Sequence, residues 1–186
     1  MPDVEFLLLG DALWLEFINT APGPAQGPDR LPDPAAYLRW TKAVRVEAPV
    51  SAAAFVDAIE FRGRLVGMAL ALEAGRSPPP SAITAVNDRL HGFDGREQLL
   101  RIAGSWQVRF VPARSPTALE AVACSVGETL SNPVAVVRRC ANPACGLFFV
   151  DGSPQLSRRW CSPNCRQRGK VERRRTSRPA PLLAEG

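Results

Sequence analysis

Four cysteines, Cys140, Cys145, Cys161 and Cys165, follow one another as C-x4-C-x15-C-x3-C, and no other pattern in the chain restricts its folding as tightly. Two close pairs separated by a loop are the layout of a tetrahedral thiolate site, in which each pair supplies two ligands from one turn. Four soft sulfurs in that arrangement suit zinc. A closed shell of sulfur leaves no open position for chemistry, so the spacing predicts one structural Zn2+. The alternatives are two disulfides, four unrelated buried thiols, or an iron–sulfur cluster, whose usual spacings are tighter than these or differ from them. The opening residues argue against disulfides. Asp3 and Glu5 precede a short apolar run, no Lys or Arg opens the chain, and the form is not that of a secretory signal. No apolar segment approaches a membrane span. The expectation is a reducing cytoplasm, where thiolates stay available for metal. Cys124 stands apart and reads as a small, partly buried apolar residue on a helix.

The formal charge of +5 is unevenly spread. From Arg138 to Arg178, eleven Arg and Lys face two acids, Asp151 and Glu172, a net of +9; the remaining residues carry 12 basic and 16 acidic groups, a net of −4. A mildly acidic body joined to a strongly basic module points to a polyanion partner for that module alone. With 186 residues, 46% of them hydrophobic, the chain can build one moderate core and a small appendage. The expected fold class is mainly α with a small β component. Residues 1–135 form a multihelical N-terminal domain, 136–176 a zinc-binding finger of β-hairpin and helix, and 177–186 a flexible tail.

Val4, Phe6 and Leu8 give a weak strand alternation, and Ala12 to Asn19 reads as a second strand or a short helix. A loop rich in Pro and Gly, Ala21 to Pro32, has little to bury. Asp33 before Pro34 marks a helix start, with Tyr37, Leu38 and Trp40 on its apolar side. The longest helix is expected from Ala52 to Ala74, with Ser51 before it and Gly75 as its stop. Its stripe of Phe55, Ile59, Val66 and Ala69 also carries Arg62, a costly place for a charge without a partner. A helix from Ser81 to Leu90 follows Pro78-Pro79-Pro80. Gln98 to Ile102 then pairs with Trp106 to Phe110 across Gly104-Ser105 as a hairpin. Ser115-Pro116 opens the last helix of the body, with Leu119, Val122, Val126 and Leu130 inward.

The residues Cys140-x4-Cys145-Gly146, Phe149, Asp151, Ser153, Ser157-Arg158-Arg159-Trp160-Cys161-Ser162 and Cys165 resemble the CGNR zinc-finger family, bacterial proteins regarded as stress-induced transcription regulators. Leu15-Glu16-Phe17-Ile18-Asn19-Thr20 is similar to that family's Leu-Asp-Phe-Val-Asn-Thr signature. Arg62 and Asn87 fall where its N-terminal domain carries an Arg on a long helix and a Leu-Asn-like pair. The resemblance covers nearly the whole chain and implies a DNA-binding finger with an N-terminal domain that senses a ligand. It departs at one point: the family's Cys-Gly-Asn-Arg is here Cys165-Arg166-Gln167-Arg168. The thiolate is kept, the glycine's backbone freedom is lost, and the amide is one methylene longer. If the family's Gly and Asn touch nucleic acid, the target or the mode differs here.

Independently of the family, Gly146 permits a sharp turn after Cys145, Leu147 to Val150 reads as a strand, and Ser162-Pro163 starts a helix reaching roughly Arg174. At 100° per residue, Arg166, Lys170 and Arg173 share about one quarter of that helix, with Gln167 and Arg174 to one side. A cationic stripe beside an amide suits phosphates and base edges, and duplex DNA is the expected partner. Arginines near the ligands can instead offset the thiolate charge, and basic tails are often merely solvated. RNA binding by the same finger is one alternative, although Phe148, Phe149 and Trp160 read as its mini-core rather than a stacking platform. The other is a small-molecule-binding protein whose finger is only structural. Asn19, Arg62 and Asn87 are the candidate ligand-binding residues, or else buried polar groups pairing with backbone. Enzymatic constellations are missing: His91 is the sole histidine, and no Ser-His-Asp set or phosphate loop is visible.

Overall fold

The computed structural model describes residues 6–21, 27–49, 51–92 and 94–176, the last seven of these by their backbone alone. At its centre lies α1 (Leu13–Ile18), with Trp14, Leu15, Phe17 and Ile18 all buried. Apolar residues on every side of so short a segment have no alternation to offer a sheet, and the helix buries them in all directions. The Trp14 indole N–H donates to Thr129 Oγ1 at 2.9 Å, and Thr129 in turn donates to the Ser125 carbonyl at 2.9 Å. No strand forms before it among the described residues. Val4 lies outside them, and the backbone from Phe6 to Gly10 is irregular, with Leu7 and Leu8 exposed.

The next loop departs from expectation. Residues 22–26 lie outside the described residues, but Leu31 is fully buried and Asp29 pairs with Arg62. Helix α2 (Pro34–Ala43) begins as expected, with the Asp33 carboxylate accepting from Ala36 N at 2.7 Å. Ser51 caps α3 (Ala52–Glu73) in the same way, through Ala54 N at 3.0 Å. The helix closes where Arg76 N–H bonds the Ala71 carbonyl and Gly75 N–H that of Leu72. Its inner face of Ala58, Phe61, Leu65, Met68 and Ala69 meets α1, α2 and α4 (Pro80–His91). Each large side chain so enclosed contributes about 1.5–3 kcal/mol relative to exposure.

Strands β1 (Gly95–Ile102) and β2 (Ser105–Pro112) pair antiparallel with Ile102 opposite Ser105, a longer hairpin than the sequence outlined. Its two-residue turn puts Ala103 and Gly104 at φ 48° and 86°, the left-handed pair that matches strand twist. Helix α5 (Ala118–Ser131) starts with a capping box of Thr117 and Glu120 rather than at Ser115-Pro116. Val122 and Val126 face inward, but Leu130 is exposed, because Ser125 and Thr129 hold the positions against Trp14.

The C-terminal part is a hairpin of β3 (Val136–Arg139) and β4 (Phe148–Asp151), followed by α6 (Pro163–Thr176). A mainly helical body with two small antiparallel sheets is the architecture expected. The finger is not a separate appendage, however. Val137 and Phe148 belong to the body's core, with β3 on α3 and β4 on α1. A second small core gathers Cys140, Leu147, Phe149, Cys161 and Cys165.

Candidate metal centre and nucleic-acid surface

Two elements aim the cysteines at one point. Cys140 directly follows β3 and Cys145 closes a tight turn, in which Cys140 N–H bonds the Leu147 carbonyl at 2.8 Å and Cys145 N–H that of Asn142 at 2.9 Å. Gly146, at φ 67°, redirects the chain into β4, a conformation that would strain a side chain. Cys161 precedes α6, and Cys165 sits in its first turn, its N–H capped by Ser162 Oγ at 3.2 Å. The Sγ atoms of Cys140 and Cys165 are 3.5 Å apart and those of Cys145 and Cys161 3.6 Å, with all four within 4.8 Å of one another. A disulfide would need about 2.05 Å. Tetrahedral zinc with bonds of about 2.3 Å sets sulfurs about 3.8 Å apart, so the cage fits one structural zinc ion.

Four thiols this close cannot all ionise without a cation among them. A hydrogen bond from Cys161 lowers the Cys145 pKa to about 5, while the same bond pushes Cys161 far up. Burial holds Cys165 up at about 11. A dication in the cage favours the thiolate throughout, so zinc binding releases protons and strengthens as pH rises. The Asn142 amide donates to Cys165 Sγ at 3.3 Å, and Cys165 lies in the first turn of α6, where the helix dipole favours a thiolate.

Behind the cage, the wholly buried Asp151 organises the loop between the cysteine pairs. Its carboxylate accepts from Ser153 Oγ at 2.6 Å, Arg138 Nε at 2.9 Å and Arg158 N at 3.0 Å. Burial alone would raise its pKa, but the Ser153 and Arg138 donors hold it below the usual carboxylate range. Arg158 spreads over Phe149 and donates to the carbonyls of Trp160 and Cys161 and to Asp11. Arg138 and Arg158 are therefore fixed in the finger's frame, a part of the basic charge that is structural.

Helix α6 presents a different surface. Cys165 and Gly169 are buried, whereas Arg166, Gln167 and Arg168 are exposed. The Arg166 and Arg159 guanidinium groups lie 5.5 and 5.4 Å from the Trp160 ring. Lys170, Arg173 and Arg174 fall within the same helix, and their side chains lie outside the described residues. Arg138, Arg139, Arg158 and Arg159 also line a cleft of about 330 Å³ between the finger and the end of α3. These are the arginines near the ligands that can offset the thiolate charge, and the hairpin and the cage bring Arg138 and Arg159 together.

Among the described residues, Asn19, Arg62 and Asn87 are absent from the linings of the clefts at Arg64, at Tyr37 and at Arg138. The Asn19 amide binds the Phe148 backbone from both ends, donating to its carbonyl at 2.9 Å and accepting from its N–H at 2.8 Å. Arg62, 4% exposed, donates twice to Asp29, at 2.8 and 2.5 Å, and once to Thr20 Oγ1 at 2.9 Å. Asn87 is exposed on α4. The carboxylate that Arg62 requires is supplied by the chain itself, through Asp29.

Residues 11–133 match the family model ABATE, described as "Putative stress-induced transcription regulator", and residues 137–178 match that of the CGNR zinc finger. None of the curated proteins matches the chain.

Proposed function

This chain belongs to the ABATE family and carries a CGNR zinc finger, and from that premise we propose that it regulates transcription by docking α6 on duplex DNA. The observation that carries the reading is the start of α6. Cys165 anchors the first turn in the metal cage, while Arg166, Gln167 and Arg168 stand exposed beside it. A rigid helix start with forked donors and an amide is chemically equipped for base edges, Arg for guanine and Gln for adenine. Lys170, Arg173 and Arg174 continue the contact along the phosphates, which positions the helix without reading sequence. Arg166 and Gln167 stand where the family motif has Gly and Asn, so the site read here differs from that of chains with the family motif. The zinc is structural: it holds the helix at a fixed angle and takes no part in chemistry. The test is titration of the zinc-loaded chain with duplex DNA, single-stranded DNA and RNA hairpins at two salt concentrations. Duplex DNA should bind tightest, with steep salt dependence. Preference for unpaired RNA would overturn the reading.

A second reading concerns the body. A cleft of about 220 Å³ opens among α2, α3, α4 and α5, bordered by Tyr37, Asp57, Asp88, Arg89 and Glu120. Its mixed charges suit a small zwitterionic effector, in a different place from Asn19, Arg62 and Asn87. A thermal-shift screen with amino acids and other zwitterions tests it. Stabilisation that vanishes in Asp88→Ala supports the reading, and an unmoved melting temperature throughout counts against it.

A further inference from the structure

The β1–β2 hairpin leaves the body as a two-stranded ribbon whose strands pack chiefly on each other. Isolated two-stranded hairpins are marginal in water, and a hydrophobic face on one calls for cover. The register places Glu97 opposite Phe110, Leu99 opposite Val108, and Arg101 opposite Trp106, and alternation puts all six on one face. That face is unusually apolar for an exposed surface: Leu99 is 62% exposed, Trp106 66%, Val108 60% and Phe110 50%. The opposite face carries Arg96, Gln98, Gln107 and Arg109 among its residues and is the more polar of the two. Among the described residues, Leu99, Trp106 and Val108 stay exposed side by side, and their presence together is informative.

We infer that this apolar face is a self-association surface through which two copies of the chain dimerise. The pattern is self-complementary under a two-fold axis lying between the ribbons, across the strands at the Leu99–Val108 pair. That operation reverses the strand direction and sets each row against its mirror row. Leu99 then meets Leu99, and Val108 meets Val108. Trp106 of one copy packs on Phe110 of the other, and Arg101 faces Glu97, each contact made twice, as an isologous interface demands. Sheets stack about 10 Å apart, within reach of these side chains. Glu97 and Arg101 share a strand four residues apart, too far to pair within one ribbon, and neither has an ion-pair partner among the described residues. A second copy completes both in this geometry. The patch offers on the order of 400 Å² per copy, about half a standard interface, so dissociation in the micromolar range is expected. A dimer would carry two fingers and favour inverted-repeat sites, but the association itself does not depend on DNA binding.

Analytical ultracentrifugation of the zinc-loaded full chain, over micromolar to submillimolar concentrations, tests the inference. The wild type should dimerise. Glu97→Arg and Arg101→Glu should each weaken dimerisation about tenfold, since two ion pairs become two repulsions. An equimolar mixture of these variants should regain wild-type association, because both cross-pairs are then Arg against Glu. Trp106→Ser, checked for folding by circular dichroism, should weaken association as well. A wild type that stays monomeric throughout, or a mixture that associates no better than either variant alone, would overturn it. Failure of duplex binding with dimerisation intact would count against the DNA reading alone.

Discussion

Asn19→Ala should destabilise the protein out of proportion to its size, because this one side chain satisfies both backbone groups of Phe148. Asn19 and Phe148 are each 6% exposed. Truncation therefore strands a buried N–H and a buried carbonyl, each at about 1–3 kcal/mol. The expected loss is about 3 kcal/mol, a large part of the roughly 5–15 kcal/mol available to a domain. The damage should also reach the metal, since Leu147, next to Phe148, holds Cys140 N–H through its carbonyl. Urea unfolding of the zinc-loaded chain measures the first effect, and zinc transfer to a chromogenic chelator the second. Asn19→Asp separates hydrogen bonding from packing: it keeps the acceptor for Phe148 N–H but sets a carboxylate oxygen against the Phe148 carbonyl. It should cost at least as much at neutral pH. A loss under about 1 kcal/mol for both variants, with zinc transfer unchanged, would refute the claim that Asn19 couples body and finger.

Cys161→Ser should abolish stoichiometric zinc and raise hydrogen exchange through α6 and the turn at Cys145, while α3 and α5 keep their protection; retained stoichiometric zinc would contradict the four-cysteine cage. Asp29→Ala should cost about 3–5 kcal/mol, and more than Arg62→Met, because it leaves a 4% exposed guanidinium without its carboxylate; urea unfolding decides the order. Burial pushes the Glu16 carboxyl up from 4.5 to about 7, against the Gly10 and Leu9 N–H donors it binds at 2.8 and 3.0 Å. The folded state thus holds a proton that the unfolded chain has released between these values, and its contribution is complete below 4.5 and lost as pH rises through about 7. Relative to Glu16→Gln, wild-type stability should fall by about 2 kcal/mol from about pH 5 to about pH 8, allowing for solvent screening; a flat difference contradicts this.

What the sequence disclosed was mostly local. Ser51 and Asp33 marked helix starts because a cap's geometry is set within three residues, and the cage was legible because each cysteine pair comes from one turn. Arg62 on an apolar stripe announced that it needed a counter-charge. Its partner was hidden, since Asp29 lies 33 residues earlier in a loop whose composition suggested little to bury. The same holds for Asn19, whose bonds to Phe148 span 129 residues. The finger's hairpin was expected from residue 136, but only its second strand could be given bounds, for the four residues of β3 acquire meaning only through β4. The β1–β2 alternation was visible, but which face stayed uncovered depends on where the helices stop. Non-local pairing, rather than propensity, is what the chain withheld.

Salt-dependent titration of duplex DNA with Lys170→Ala/Arg173→Ala against wild type decides whether the helix anchored by Cys165 meets DNA with its cations, as proposed. If both cations meet phosphates, the double variant should bind more weakly on every sequence. The slope of log affinity against log salt should flatten by about two units, one for each charge removed. If the arginines and lysine of α6 only balance the thiolates or stand in solvent, the two proteins should bind with equal affinity and equal slope, which would contradict DNA contact through α6.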